Sequence, residues 1–415
     1  MNQSFLFLAL QIVNIIVGLF STVYIAANVE PHFYSLVIVY QIIITFYGCF
    51  TSLGYETVLI RNALKWQNGF ANRLTYFVSM SLVIRVAVFF ILMLPVFVYS
   101  VYIAQSNYHG EYLGVILLFS LSGLFFSFNN WLSLVLKSFN NYIAGFTILT
   151  LGSLVTKIVG VWLFVQFGFE YFVLVLTIMP ALIFLSGVWL VVKYIRPINL
   201  SVRRFIFAKR FLGFGTMGYV KYALAQSDRV VVSILLSPEV QAAYGLAKQF
   251  QDIGKSFVEG FFDPLIQRVV QYRNDINKSK AHIKFVAKVN ALIALLGSIV
   301  LVALIVYIDD LIRLLGFTKY NHIETYLIFV LLSSFTYLLY KTPGNLISLF
   351  AKPKLLVSVD IIGWLIGMIS LVVISNSLLL EYLYLNRLLT ELFMLVTFTC
   401  LWLKGRNTYL HMRTV

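Results

Sequence analysis

Lys248, Asp252, Lys255 and Glu259 recur at i, i+4, i+7 and i+11 in the stretch from Ala242 to Gln267, AAYGLAKQFQDIGKSFVEGFFDPLIQ. At about 100° per residue, all four fall on one narrow stripe of a helix. Gln241 and Tyr244 extend the stripe at its start. The rest of the stretch is apolar, and the whole is long enough to cross a bilayer. Ammonium groups and carboxylates on such a helix are costly against lipid, so the stripe is predicted to wall a polar cavity inside a membrane protein. The chemistry on offer is ionic: cations that hold an anion, and carboxylates that hold the cations or carry protons. The bland alternative is that Lys248–Asp252 and Lys255–Glu259 neutralise each other as i, i+4 pairs.

The preceding apolar stretch carries Lys221 and Asp228 at i, i+7, with Tyr222 and Arg229 on the adjacent line. Two successive charged faces imply a hydrated space between them. Arg85 and Lys157 are lone cations on their own segments and need partners elsewhere, an anionic substrate or Asp360. Arg387 and Glu391 form another i, i+4 pair, for which packing is at least as good a reading as chemistry. Basic residues slightly outnumber acidic ones inside the apolar segments, which points to an anionic ligand. Burial raises a carboxylate's pKa and a neighbouring cation lowers it, which makes Asp228, Asp252 and Glu259 candidate proton carriers. No P-loop, HExxH or metal-spaced Cys/His set is present, and the five histidines fall in loops or at segment ends. No metal or cofactor is expected beyond a coupling ion, H⁺ or Na⁺. Cys49 and Cys400 lie in apolar runs and read as small buried side chains, not a disulfide framework.

The elements that must position these groups are membrane spans. The chain has 415 residues, 60% hydrophobic and 11% charged, where a soluble domain has about a quarter of its residues charged. Apolar segments of spanning length fall near 4–27, 33–58, 75–100, 112–136, 142–166, 171–193, 211–235, 240–265, 285–307, 325–350, 354–375 and 379–403, which predicts twelve helices. The first run is longer than a signal-peptide core and reads as a retained helix. Basic residues crowd alternate connections: Arg61, Lys65 and Arg73, then Lys137, then Lys193 to Arg210, then Arg268 to Lys288, then Lys341 to Lys354, then Lys404 to Arg413. The intervening connections hold only Arg313 and Lys319 against Glu30, Glu111, Glu170, Glu239, Asp309, Asp310, Glu324 and Glu381. Both termini are therefore expected in the cytoplasm. The net charge of +15 reads as topology, not as a nucleic-acid footprint.

With an offset of 210, Tyr34 aligns with Tyr244, Leu36 with Leu246 and Gln41 with Gln251. Six spans, a basic connection and six more spans predict two parallel six-helix bundles, 1–200 and 201–415. The expected fold is an all-α integral membrane protein, its bundles related by a pseudo-two-fold axis along the membrane normal around a central cavity. Further polar stripes appear at Gln11, Asn14, Gly18 and Thr22 and at Gln41, Thr45, Gly48 and Ser52. Gly145, Gly152, Thr156 and Gly160 read as a helix-packing surface. Pro95, Pro180, Pro264 and Pro343 interrupt spans, as hinges or as tolerated kinks.

The segment SDRVVVSILLSPEVQAAYGLAKQFQDI resembles the start of the second half in the polysaccharide transporter branch of the multidrug/oligosaccharidyl-lipid/polysaccharide exporter superfamily, with Asp228 and Tyr244 at matching positions. SLGYETVLIRN is similar to the family's ending of the second span, matched by Leu53, Gly54 and Arg61. Here Ala243 precedes Tyr244 and Gly245 follows it, where family members commonly place Gly before the Tyr. Topology and length are similar to those of Wzx-type O-antigen flippases. The resemblance implies transport, not catalysis: undecaprenyl-pyrophosphate-linked oligosaccharide flipped across the bacterial inner membrane by alternating access, in O-antigen and lipopolysaccharide biosynthesis. Lys248, Lys255 and Arg229, assisted by Lys221 and Arg85, are the candidates to hold the pyrophosphate. The implied partners are the lipid-linked oligosaccharide, membrane lipid, a polysaccharide polymerase and a chain-length regulator. A lipid II-type flippase or a multidrug exporter of the same superfamily shares the fold. A membrane-embedded polymerase or ligase is the alternative from another class, though it needs a large external loop that the sequence lacks.

Overall fold

The computed structural model describes residues 3–51, 71–139, 141–192, 226–271, 276–350, 353–377 and 379–411, and they contain helices and short turns but no strand. The chain divides into two compact units, Met1–Pro238 and Glu239–Val415.

The first unit contains α1 (Gln3–Asn28), α2 (Pro31–Phe50), α3 (Ala71–Tyr108), α4 (Leu113–Ser138), α5 (Tyr142–Phe167) and α6 (Phe169–Val192). A helical stretch over 226–235 docks on α3, where Tyr99 Oη meets Ser233 Oγ at 2.8 Å and Asn107 Nδ2 donates to the Ser233 carbonyl at 3.3 Å. Pro31 opens α2 at a position where its missing N–H is no loss. Asn141 caps α5 by accepting from the Ala144 N–H at 3.4 Å. Gly168, at φ 95°, closes α5; a residue with a Cβ would be strained there. α4 is central, packed on α2, α3, α5 and α6, while α1 packs chiefly on α5. Cβ atoms added at Gly145, Gly152 and Gly160 would meet the Ser133 carbonyl at 2.6 Å, Ile183 at 2.9 Å and Phe172 at 3.1 Å. These glycines are a packing surface that lets α5 approach α4 and α6 closely.

The second unit contains α7 (Pro238–Gln271), α8 (Ile276–Val306), the short α9 (Ile308–Leu315), α10 (Ile323–Phe350), α11 (Pro353–Asn376) and α12 (Leu385–His411). Its packing centres on α10 and α12; α8 and α9 lie on α10, and α11 on α12. Phe262, Ile266, Val286 and Leu338 join α7, α8 and α10 in an apolar cluster.

Nine helices among the described residues are long and apolar enough to span a membrane. Twelve spans were expected from the sequence. α1 contributes a shorter apolar stretch, Ile12–Asn28. α7 has the length but carries the charged stripe. Most of the expected span 211–235 lies outside the described residues. The helices turn their apolar side chains outward: along α8, Leu295, Ile299 and Val302 are each more than 60% exposed. Such a continuous exposed apolar belt fits contact with lipid.

Helix starts within each unit meet. The rings of Phe33 and Tyr112 lie 6.2 Å apart, as do those of Phe33 and Phe169, and Tyr108 lies 5.5 Å from Tyr112. Burial, with the Glu111 and Glu170 carboxylates adding, raises the Tyr112 phenol above its ordinary pKa. The turns before α2, α4 and α6 therefore share one acidic end. In the second unit Tyr244, Tyr326 and Tyr384, each near the start of its helix, come together with centroids 5.1–6.4 Å apart.

A buried ionic network in the second unit

The charged stripe of α7 turns into its own unit and meets α10 and α12. At the level nearest the helix starts, Tyr244 Oη and Asn386 share a hydrogen bond, with Asn386 Nδ2 donating at 3.3 Å. Two turns on, Gln251 is fully buried; its Nε2 donates to Ser333 Oγ at 2.5 Å and its Oε1 accepts from Tyr384 Oη at 2.9 Å. Deeper still, Lys255 Nζ pairs with Glu391 Oε1, and Tyr340 Oη donates to the other carboxylate oxygen. Glu391 is 3% exposed, so both its oxygens are satisfied away from water, as a buried carboxylate requires.

A second ionic group adjoins the first. Glu259 Oε1 accepts from Tyr337 Oη at 2.5 Å and from Lys341 Nζ at 3.3 Å. Tyr337 links the two groups, because Lys255 Nζ lies 5.1 Å from its ring centroid and Lys341 Nζ 5.5 Å, within cation–π range. Lys255 and Glu259 are thus connected, but not as a pair along one helix: each finds its counter-ion on another helix. Glu391 likewise takes Lys255 and Tyr340 from across the unit.

The other candidates are placed as follows. Lys248 is buried at 2% exposure, on the same face of α7 as Lys255, and Asp252 is partly buried. Asp228 and Arg229 are buried in the helical stretch 226–235 of the first unit, where Arg229 Nη1 donates to Gln226 Oε1 at 2.9 Å. Arg85, 1% exposed, lies elsewhere in that unit; its Nη1 donates to the Ser127 carbonyl at 2.9 Å and Ser127 Oγ at 2.7 Å, and Ser127 Oγ also meets Thr51 Oγ1. Lys221 lies outside the described residues. Lys255 and Glu259 of α7 therefore share one network, while Arg85, Asp228 and Arg229 belong to the other unit. Tyr337 and Tyr340 were not singled out from the sequence, and Lys341, counted there among the basic connections, lies within α10; the three stand at i, i+3 and i+4 on one face. No group of three metal-ligating side chains occurs among the described residues.

What the arrangement can do follows from its charges. An ammonium held by a carboxylate can also bind an anion that competes for it.

No protein-family model matches the chain, and no curated protein matches it in sequence. Solved structures do match. Lipid II flippase MurJ in an inward closed conformation superposes with a TM-score of 0.74, over 98% of this chain and 89% of that one, at 17% identity. An inward-facing multidrug resistance MATE family transporter of the MOP superfamily gives a TM-score of 0.68, over 98% and 96%, at 10% identity. A MOP superfamily transporter from Pyrococcus furiosus, with a binding pocket of reverse polarity, gives 0.55 over 99% and 95%, at 12% identity. The fold is that of MOP-superfamily flippases and exporters. At these identities the likeness is one of fold, and the charges inside it are this chain's own.

Proposed function

We propose that the chain is a flippase that moves undecaprenyl-pyrophosphate-linked oligosaccharide, the repeat unit of O-antigen or a similar surface polysaccharide, across the bacterial inner membrane by alternating access. The observation that carries this reading is Lys255 paired with Glu391, which Tyr340 also bonds, inside a MOP-type fold. A multidrug exporter of cations has no use for buried ammonium groups, whereas a lipid-linked pyrophosphate needs them. The pyrophosphate competes with Glu391 for Lys255, and Lys248, Arg229, Lys221 and Arg85 supply further positive charge along its route. Glu259, Asp252 and Asp228 are the proposed coupling carboxylates, with H⁺ or Na⁺ as the ion. Both termini are cytoplasmic in this scheme, and a polysaccharide polymerase and chain-length regulator receive the product.

The test is restoration of surface polysaccharide in a flippase-null strain, with membrane levels checked by blot. Lys255→Arg retains much of the function, and Lys255→Ala loses it while the protein still inserts. If Lys255→Ala, Lys248→Ala and Arg229→Ala all restore wild-type polymer, the cations are structural and the site assignment fails. The MurJ likeness favours a second reading, in which lipid II is the cargo. Rescue of cells depleted of their lipid II flippase, without rescue of surface polysaccharide, selects it.

A further inference from the structure

Lys157 lies near the middle of α5 and reaches across to the middle of α1. Its Nζ donates to the Asn14 backbone carbonyl at 3.2 Å and to Asn14 Oδ1 at 3.0 Å. The approach depends on Gly18. In a helix the Asn14 carbonyl bonds the N–H of residue 18, and a side chain at 18 covers that carbonyl. A Cβ built at Gly18 would sit 2.7 Å from Lys157 Nζ and 3.4 Å from its Cε. Asn14 and Gly18 are thus a fitted seat for the ammonium, on the α1 stripe that the α7 network does not explain.

The electrostatics of this seat are incomplete. Both acceptors are neutral, and among the described residues no carboxylate lies within ion-pair distance of Lys157. A half-buried ammonium amid apolar helices, held only by amide oxygens, is costly to maintain. Two of its three N–H donors are used on Asn14, which leaves one donor and a full positive charge.

We propose that Lys157, seated on Asn14 and Gly18, is an anion-binding position in the first unit, and that it takes a phosphoryl oxygen from a lipid phosphate. The Asn14 side-chain amide adds a second donor, from its Nδ2, to the same oxygen or its neighbour. This site is built from α1 and α5 alone. It is separate from the α7 network and does not rest on the choice of glycan.

The experiment is thermal unfolding of the purified full-length protein in detergent, titrated with undecaprenyl diphosphate, phosphatidylglycerol, inorganic pyrophosphate, and undecaprenol as the uncharged control. Binding should raise the midpoint for phosphate-bearing ligands and not for undecaprenol. Lys157→Gln should weaken that binding by about tenfold or more, the range expected for losing a charged hydrogen-bond donor. Lys157→Arg should keep most of it. Gly18→Ala moves only the far end of a flexible side chain, so it should fold normally and still weaken binding. A shift with undecaprenyl diphosphate alone assigns the site to a lipid-linked substrate; equal shifts with phosphatidylglycerol assign it to membrane headgroups; a shift with inorganic pyrophosphate alone assigns it to a free anion. Undiminished binding in Lys157→Gln, or no shift with any phosphate in the wild type, overturns the proposal. Should Lys157→Gln not accumulate, an undiminished shift in Gly18→Ala overturns it instead. None of these readouts depends on complementation in cells, so failure of the O-antigen reading leaves this test intact.

Discussion

Glu391 is the acceptor on which the charged stripe closes. Its two oxygens take Lys255 from α7 and Tyr340 from α10, so removing either cation or carboxylate strands the other in a buried place. A buried pair broken at one end costs about 3–5 kcal/mol, whereas replacing both ends by apolar groups of similar size is often neutral. Because Lys255 keeps about a fifth of its side chain exposed, the lower end of that range is expected. Lys255→Met and Glu391→Gln should each lower the unfolding midpoint in detergent, and Lys255→Met/Glu391→Met should recover it. Transport should stay lost in the double variant, because the ammonium itself is the working group. Recovery of polysaccharide export along with stability would make the pair a packing device. In the sequence, Lys255 and Glu259 stand out because charges are rare in apolar helices. Their pairing with Glu391 and Tyr337 does not, because Glu391 lies 136 positions from Lys255 and Tyr337 lies 78 from Glu259. A tyrosine in a span also has the same appearance whether it fills a core or donates to a carboxylate.

At the level of helices, Pro180 shows how a breaker is absorbed. It has no N–H for the Leu176 carbonyl. That carbonyl instead accepts from Tyr40 Oη of α2 at 2.9 Å and from Ser122 Oγ of α4 at 3.0 Å, while the Pro180 carbonyl itself takes Asn129 Nδ2 at 2.8 Å. The carbonyls around the proline are bonded by two neighbouring helices, which favours a tolerated proline over a free hinge. Tyr40→Phe should cost about 1 kcal/mol, the usual value of one such bond. In a Pro180→Ala background it should cost less, because the restored Ala N–H serves Leu176. Thermal unfolding of the four proteins of this cycle reads the coupling, and strict additivity would sink the idea. The proline and the glycines at 145, 152 and 160 were legible as interruptions and close contacts. Which helices they would meet was not, since packing partners within a membrane are chosen by shape and not by a hydropathy pattern.

Much of the order of neighbours repeats from one unit to the other, the packing of α4 on α5 apart. In the first unit α4 packs on α2, α3 and α6, and α6 on α5. In the second, α10 packs on α8 and α12, and α12 on α11, with α7 bonded to α10 and α12. α4 begins at Leu113 and α10 at Ile323, the same 210-residue offset that aligns Tyr34 with Tyr244. The repeat expected from the sequence thus has a counterpart in these helix starts and in part of the packing order. This repetition bears on orientation. In the first unit the starts of α2, α4 and α6 meet around Tyr112, beside Glu111 and Glu170. In the second the starts of α7, α10 and α12 meet around Tyr384. Each meeting point belongs to the connections poor in Lys and Arg, and the opposite connections hold the basic clusters. Basic clusters stay in the cytoplasm because moving them across the membrane is unfavourable. If each half enters from the same side, reporter fusions after Asn68, Asn107, Asn199 and Asn277 should read inside, outside, inside and inside. Asn107 decides the sense of the first unit, since it sits at the acidic end and bonds Ser233 there. Asn199 and Asn277 decide whether the halves run parallel. An external reading at either one requires an odd number of spans before it, and the repeat would then have to be inverted.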